Sequence, residues 1–266
     1  MITNGDIIRV ITDYAPPRLQ EPYDNTGVQV GSVGDECRGV MLCVDVTPQV
    51  IAEAVSEGCN LVVSHHPVLF KGVKSLIGAT LVETVIIEAI RHGITIYSCH
   101  TSLDNAPEGV SARMARMLGL TDCMVLDPVE PARAQGLIAG CGMVGILPTP
   151  LSPAELVALV KSKFGSPVAR CTAYDPSSTV SRVALCGGSG AFLISKAIAA
   201  GAQAYITSDV KYHDFVDYAH RILLIDIGHY ESEHCATEIF MDVIREKFPN
   251  FAVRFSRIAT NPIIYM

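Results

Sequence analysis

At 266 residues the chain can bury a sizeable core and has room for one or two domains. It is 49% hydrophobic, only 18% charged and free of tryptophan, an apolar balance that calls for a partner subunit over part of the surface. A formal charge of −7 excludes a global attraction to nucleic acid and disfavours nucleic-acid processing, leaving open only a local basic patch.

Nine scattered cysteines with no Cys-x-x-Cys pair, together with an N-terminus that lacks a basic start and a long apolar run, predict a reducing, cytoplasmic setting. The longest charge-free span, 134–154, is broken by Pro148, Pro150 and Pro153, so no membrane helix is expected there.

In chain order, a helix is predicted over 3–14, ended by Pro16-Pro17, followed by the turn-rich Tyr23-Asp24-Asn25-Thr26-Gly27. Residues 40–46 read as a buried strand. Thr47-Pro48 then opens a helix as N-cap and first position, and Gly58 closes it. The apolar run Leu61-Val62-Val63 is a strand leading into Ser64-His65-His66-Pro67. A helix over 81–92 feeds a strand before His100, and 109–118 is another helix. Beyond these, 139–147 reads as a strand, 152–164 as a helix capped at Ser152, 168–174 as a strand, 229 or 231 to 247 as a helix and 251–257 as a final strand. Such alternation argues for an α/β fold with buried strands.

Residues 40–66 lie on 183–209 without a gap, so that Val40, Leu42, Cys43, Ile51, Ala54 and Gly58 fall on Val183, Leu185, Cys186, Ile194, Ala197 and Gly201. His100-Thr101-Ser102-Leu103-Asp104 matches His229-Tyr230-Glu231-Ser232-Glu233 in the same way, each following an apolar strand. The chain therefore reads as two related halves, 1–128 and 129–266, packed as one compact unit.

The chemistry-bearing set is His65, His66, Asp104, His229 and Glu233. Adjacent side chains on extended backbone point to opposite sides, so His65 and His66 suit two different metal ions better than one. His229 and Glu233 are four apart and share a face if the late helix starts there. Imidazoles with carboxylates suit Zn, Mn, Fe, Co or Ni, and two such ions with open positions could activate a bridging hydroxide. Taken alone, each strand-end histidine is ordinarily a hydrogen-bonded loop residue; it is the paired His-x-x-x-acid elements that tip the balance. His100 is open to three roles, as ligand, as support for a ligand, or as proton shuttle, with support preferred; in a hydrolase it is the nearest general acid or base. Asp209 occupies the repeat position of His66 and either orients a ligand or substrate or caps a strand end. Gly187-Gly188-Ser189-Gly190 is read as tight packing ahead of phosphate approach.

At these residues the chain resembles the family named after NGG-one-interacting factor three, whose bacterial members are labelled GTP cyclohydrolase type-two-like. The resemblance runs through residues 24–31, 64–67, 100–104, 186–190, 207–213 and 228–233. It implies a dinuclear metal centre with His65, His66, Asp104, His229 and Glu233 as ligands. It further implies two similar, intertwined α/β/α halves and homohexameric rings whose metal sites face an internal cavity. Tyr23 stands where the family usually has Trp, and there is no room for the domain that longer members insert between the halves. A metal-dependent hydrolase acting on a nucleotide-like substrate is the leading expectation; a non-catalytic metal-binding regulator, metallochaperone or scaffold is the alternative.

Overall fold

The computed structural model describes Met1–Met266 apart from Ala132. In chain order the first elements are α1 (Asn4–Tyr14), β1 (Gly27–Val30), β2 (Val40–Cys43), α2 (Pro48–Ser56), β3 (Leu61–Ser64), α3 (Leu81–Arg91), β4 (Thr95–Ser98), α4 (Thr101–Asp104) and α5 (Val110–Met117). They are followed by β5 (Thr121–Pro128), α6 (Pro131–Ala134), β6 (Gly140–Leu151), α7 (Pro153–Phe164), β7 (Arg170–Cys171), β8 (Val180–Leu185) and α8 (Ile194–Ala199). The last are β9 (Ala204–Thr207), α9 (Tyr212–Tyr218), β10 (Leu223–Asp226), α10 (His229–Glu233), α11 (Cys235–Lys247) and β11 (Val253–Phe255).

Two compact units result. The first comprises 1–103 and 236–263, the second 104–235 and 264–266. The first holds a sheet of order β1-β4-β3-β2-β11, in which β11, β2, β3 and β4 run parallel and β1 antiparallel. Every residue of β2, β3 and β4 is buried, as expected when both faces of a parallel sheet are covered. On one face Met41, Val62 and Ile96 pack with Val50, Ile51 and Ala54 of α2 and Val85 and Ala89 of α3. The sequence dictates these helices locally. The Thr47 hydroxyl accepts from the amide of Val50, with Pro48 at the first turn, and Gly58 takes a left-handed conformation, φ +71°, just past the end.

The second unit holds a sheet of order β5-β6-β8-β9-β10-β7. Its parallel centre β8, β9, β10 repeats the layout of β2, β3 and β4. Leu193, Ile194 and Ala197 pack there against Ala184, Tyr205 and Leu224. The charge-free span 134–154 largely becomes the twelve-residue strand β6 and not a helix, and no helix among the described residues is long and apolar enough to cross a membrane. β5 and α9 occupy stretches that carry no clear signal in the sequence. The strand expected at 168–174 shrinks to two residues.

The closing strand is tied to α2 by charge. Glu53, only 9% exposed, accepts from the Ser256 hydroxyl at 2.6 Å and from the Arg257 amide and Nε at 3.1 Å each. Burial alone raises the Glu53 carboxyl, but these hydrogen bonds and the Arg257 charge outweigh it and hold it below the usual range. Its contribution to stability is therefore complete above the unfolded value near pH ~4.3 and is lost as the pH falls through the folded value. Glu53→Gln is expected to cost about 1–3 kcal/mol at pH 7 and to flatten the acid limb of stability, as read by urea denaturation between pH 3 and 7.

Candidate metal centre

In the first unit the parallel strands β3 and β4 end in register, Ser64 opposite Ser98, with their hydroxyls 2.7 Å apart. The ladder continues past both ends. The Cys99 amide donates to Ser64 O, and those of His65 and His66 donate to Cys43 O and Val44 O. Three histidines thus leave the carboxyl edge of adjacent strands, where open parallel sheets bind ligands. The ring centroids of His65 and His66 are 5.0 Å apart, and His100 lies 5.3 Å from the first and 5.4 Å from the second. One ligand atom from each of the three falls within 4.8 Å of the others.

Each ring is anchored through Nδ1. His65 Nδ1 donates to the Cys99 carbonyl at 3.0 Å, His66 Nδ1 to Asp45 Oδ1 at 2.7 Å and His100 Nδ1 to Asp24 Oδ1 at 2.7 Å. A carbonyl can only accept, so His65 Nδ1 carries a proton, and in the neutral ring the lone pair is on Nε2. Such outer partners orient metal-binding imidazoles and raise their basicity. Asp24 also accepts from the Thr101 amide at 3.0 Å and from the Thr101 hydroxyl at 2.5 Å. Burial raises the Asp24 carboxyl, yet the hydrogen bonds from His100 and Thr101 and the His100 charge hold it well below the usual carboxylate range.

In the second unit β9 and β10 end at Thr207 and Asp226, directly opposite, and Asp209 and His229 follow. His229 Nδ1 meets Asp209 Oδ2 at 2.6 Å, and Nε2 meets Glu233 Oε2 at 2.8 Å. Two carboxylates cannot both face a neutral ring favourably, because one would meet a lone pair. Either the ring carries both protons, one carboxyl is protonated, or a cation lies between Nε2 and Glu233. A carboxylate oxygen of Asp104 lies within 4.8 Å of one from Glu233. Contact with Cys141, burial, and the charges of Asp104 and Glu233 push the Cys186 thiol far up.

The glycine loop makes room for this carboxylate. A Cβ on Gly188 (φ +61°) would lie 2.0 Å from Glu233 Oε1, and one on Gly187 would lie 2.6 Å from Val110 Cγ1. Close packing therefore explains the loop. The Gly188 amide donates to the Ser232 hydroxyl at 2.8 Å, which donates in turn to His229 O at 2.8 Å, fixing the turn that carries both His229 and Glu233. The predicted late helix is two segments, α10 and α11, and the first carries the pair.

Of the residues singled out in the sequence, His65, His66 and His100 come together in the first unit, and Asp104, His229 and Glu233 in the second. Asp209 orients a ring, one of the two roles left open for it. His100 adjoins both other rings, with its own Nδ1 held by Asp24. Asp24 and Asp45 went unassigned in the sequence. Asp24 sits in a turn-rich motif that gave a signal without a role, whereas Asp45 gave none. The donor set, imidazole Nε2 atoms with carboxylates, fits divalent transition metals.

Two substitutions probe the geometry. Gly188→Ala is expected to displace the Glu233 carboxylate and abolish stoichiometric metal uptake, measured by elemental analysis after dialysis. Asp209→Asn, which keeps the shape but loses the anion, is expected to weaken metal affinity about 10–100-fold, measured by competition with a chelator.

A family model described as Duf34/NIF3 (NGG1p interacting factor 3) matches residues 2–262. A Lactococcus lactis protein named GTP cyclohydrolase 1 type 2 homolog is 35% identical over 262 residues, 97% of each chain. A Nostoc protein of the same name is 36% identical over 246 residues, 91% of this chain and 90% of that one. Among solved structures, a Staphylococcus aureus hypothetical protein superposes with a TM-score of 0.90 at 27% identity, over 100% of this chain and 99% of that one. A Bacillus cereus protein related to NIF3 reaches 0.92 at 22% identity, over 99% of both. Sequence and fold agree, and the chain belongs to the Duf34/NIF3 family.

Proposed function

We propose that His65, His66, Asp104, His229 and Glu233 hold two divalent transition-metal ions in a hydrolase acting on a nucleotide-like substrate. The observation that carries this reading is the common anchoring of the rings. His65, His66 and His229 each have Nδ1 against an oxygen, which directs Nε2 to the ligand side. The names of the Lactococcus and Nostoc relatives support a nucleotide as substrate class. When bound, a metal pair of this kind acidifies water and polarises an electrophilic carbon or phosphorus.

The chain's own groups do the rest. Asp45 and Asp209 hold the His66 and His229 rings in one orientation. In this reading His100 is the general acid or base: Nε2 takes a proton from the attacking water and returns it to the leaving group. Asp24 on Nδ1 stabilises the imidazolium that forms between the two transfers.

Protein loaded with its native metal is expected to turn over a nucleotide or phosphoester. Chelation should abolish turnover and metal restore it, and His65→Ala should abolish it outright. Equal turnover by His65→Ala would assign the activity to a contaminant. Retained metal with no turnover across a broad substrate panel would favour a non-catalytic regulator, metallochaperone or scaffold.

A further inference from the structure

We propose that Tyr23 and Phe70 form an aromatic platform that stacks the flat ring of a nucleotide beside the histidine cluster of the first unit. This rests on the hydrolase reading above and assigns the residues that would recognise its substrate.

The platform is a short series of rings. Phe70 lies edge-on to His100, centroids 6.1 Å apart at 79°, and Tyr23 lies edge-on to Phe70 at 6.4 Å and 67°. His100 adjoins both His65 and His66, so the series leads from the surface to the candidate metal ligands. Tyr23 is 64% exposed and Phe70 46%. Single exposed apolar side chains need no explanation, but two adjoining aromatics at the edge of a ligand cluster offer faces on which a planar ring can stack.

Phe70 is held in place by the same motif that orients His100. The Asn25 side-chain amide donates to Leu69 O at 2.8 Å, and the Leu69 amide donates to Gln29 Oε1 at 3.1 Å. Gln29, itself only 9% exposed, donates to Asn25 O at 2.8 Å and Gly27 O at 3.1 Å. Asp24, between Tyr23 and Asn25, holds the His100 ring. One turn thus sets the positions of both aromatics and of the histidine beside them. This accounts for a stretch, residues 23–29, that the metal chemistry alone leaves half explained.

Charge identifies the rest of the ligand. Residues 67–80 contain Lys71 and Lys74 and no carboxylate, in a chain whose formal charge is −7. Lys71 follows Phe70 directly and Lys74 comes three residues later, and both suit an anionic group attached to the stacked ring. A flat ring bearing a phosphate satisfies both features, whereas a sugar phosphate satisfies only the second.

The test is equilibrium binding, which needs no turnover. Because the chain has no tryptophan, Phe70→Trp introduces a single indole as a reporter. In chelator-treated protein, guanosine 5′-monophosphate is expected to quench its emission, and ribose 5-phosphate is not. By calorimetry on the otherwise unaltered chain, Tyr23→Ala and Phe70→Ala are each expected to weaken guanosine 5′-monophosphate binding about tenfold. Lys71→Gln with Lys74→Gln should weaken it further at low salt and lessen its salt dependence. All four side chains are on the surface, so unchanged melting curves are expected for the variants. The platform is overturned if nucleotide binding survives Tyr23→Ala with Phe70→Ala. It is equally overturned if ribose 5-phosphate binds as well as the nucleotide, or if no nucleotide binds at millimolar concentration. Stacking without metal-dependent turnover would sink the hydrolase reading alone; turnover indifferent to Tyr23 and Phe70 would sink the platform alone.

Discussion

The site depends on one recurrent interaction, an imidazole Nδ1 held by an oxygen. It occurs at His65, His66, His100 and His229, with a backbone carbonyl as partner in the first and an aspartate in the others. The oxygen decides which nitrogen is left for chemistry and prevents the ring from rotating away. The anchors lie on the framework of the units. Cys99 follows the last residue of β4, Asp45 lies just past β2, and Asp209 just past β9. The geometry of the His65, His66 and His229 rings is thereby inherited from the ends of buried parallel strands, whereas Asp24, which holds His100, lies in the turn before β1.

The duplication visible in the sequence takes on chemical content at these strand ends. His66 and Asp209 are equivalent by the repeat, as are His100 and His229. In the second unit the equivalent of His66 is an acid, and it holds the ring of the equivalent of His100. In the first unit both positions carry rings, and the acids that hold them come from elsewhere, Asp45 and Asp24. The same backbone layout thus gives an imidazole-rich cluster in one unit and a carboxylate-rich one in the other.

What could be read beforehand follows from the range of the interactions. Helix starts at Thr47 and Ser152 were legible because their capping partners lie three residues away, and β3 was legible through its apolar run Leu61-Val62-Val63. The His-x-x-x-acid elements were legible through the repeat. Asp24 and Asp45 were not assigned because their partners stand 76 and 21 residues distant, and no local pattern encodes such a pairing. β5 carries no strand signal because it is mostly exposed and lacks a buried alternation. The single late helix divided because the segment carrying His229 and Glu233 is fixed by the Ser232 bridge to Gly188, a contact made across the fold and not along the helix.

The donors at His229 and Glu233 suit a cation by their chemistry. Glu233 is only 3% exposed, and a buried carboxylate is ordinarily paired or metal-bound. A divalent ion would take Nε2 and Glu233 as co-ligands. The 2.8 Å separation of Nε2 and Oε2 is short enough for both to lie on one ion at ordinary ligand distances of ~2.0–2.2 Å. Gly188 is the residue that permits this. Any side chain there would drive the carboxylate away from the ring, and the pair would lose the geometry that a shared ion requires.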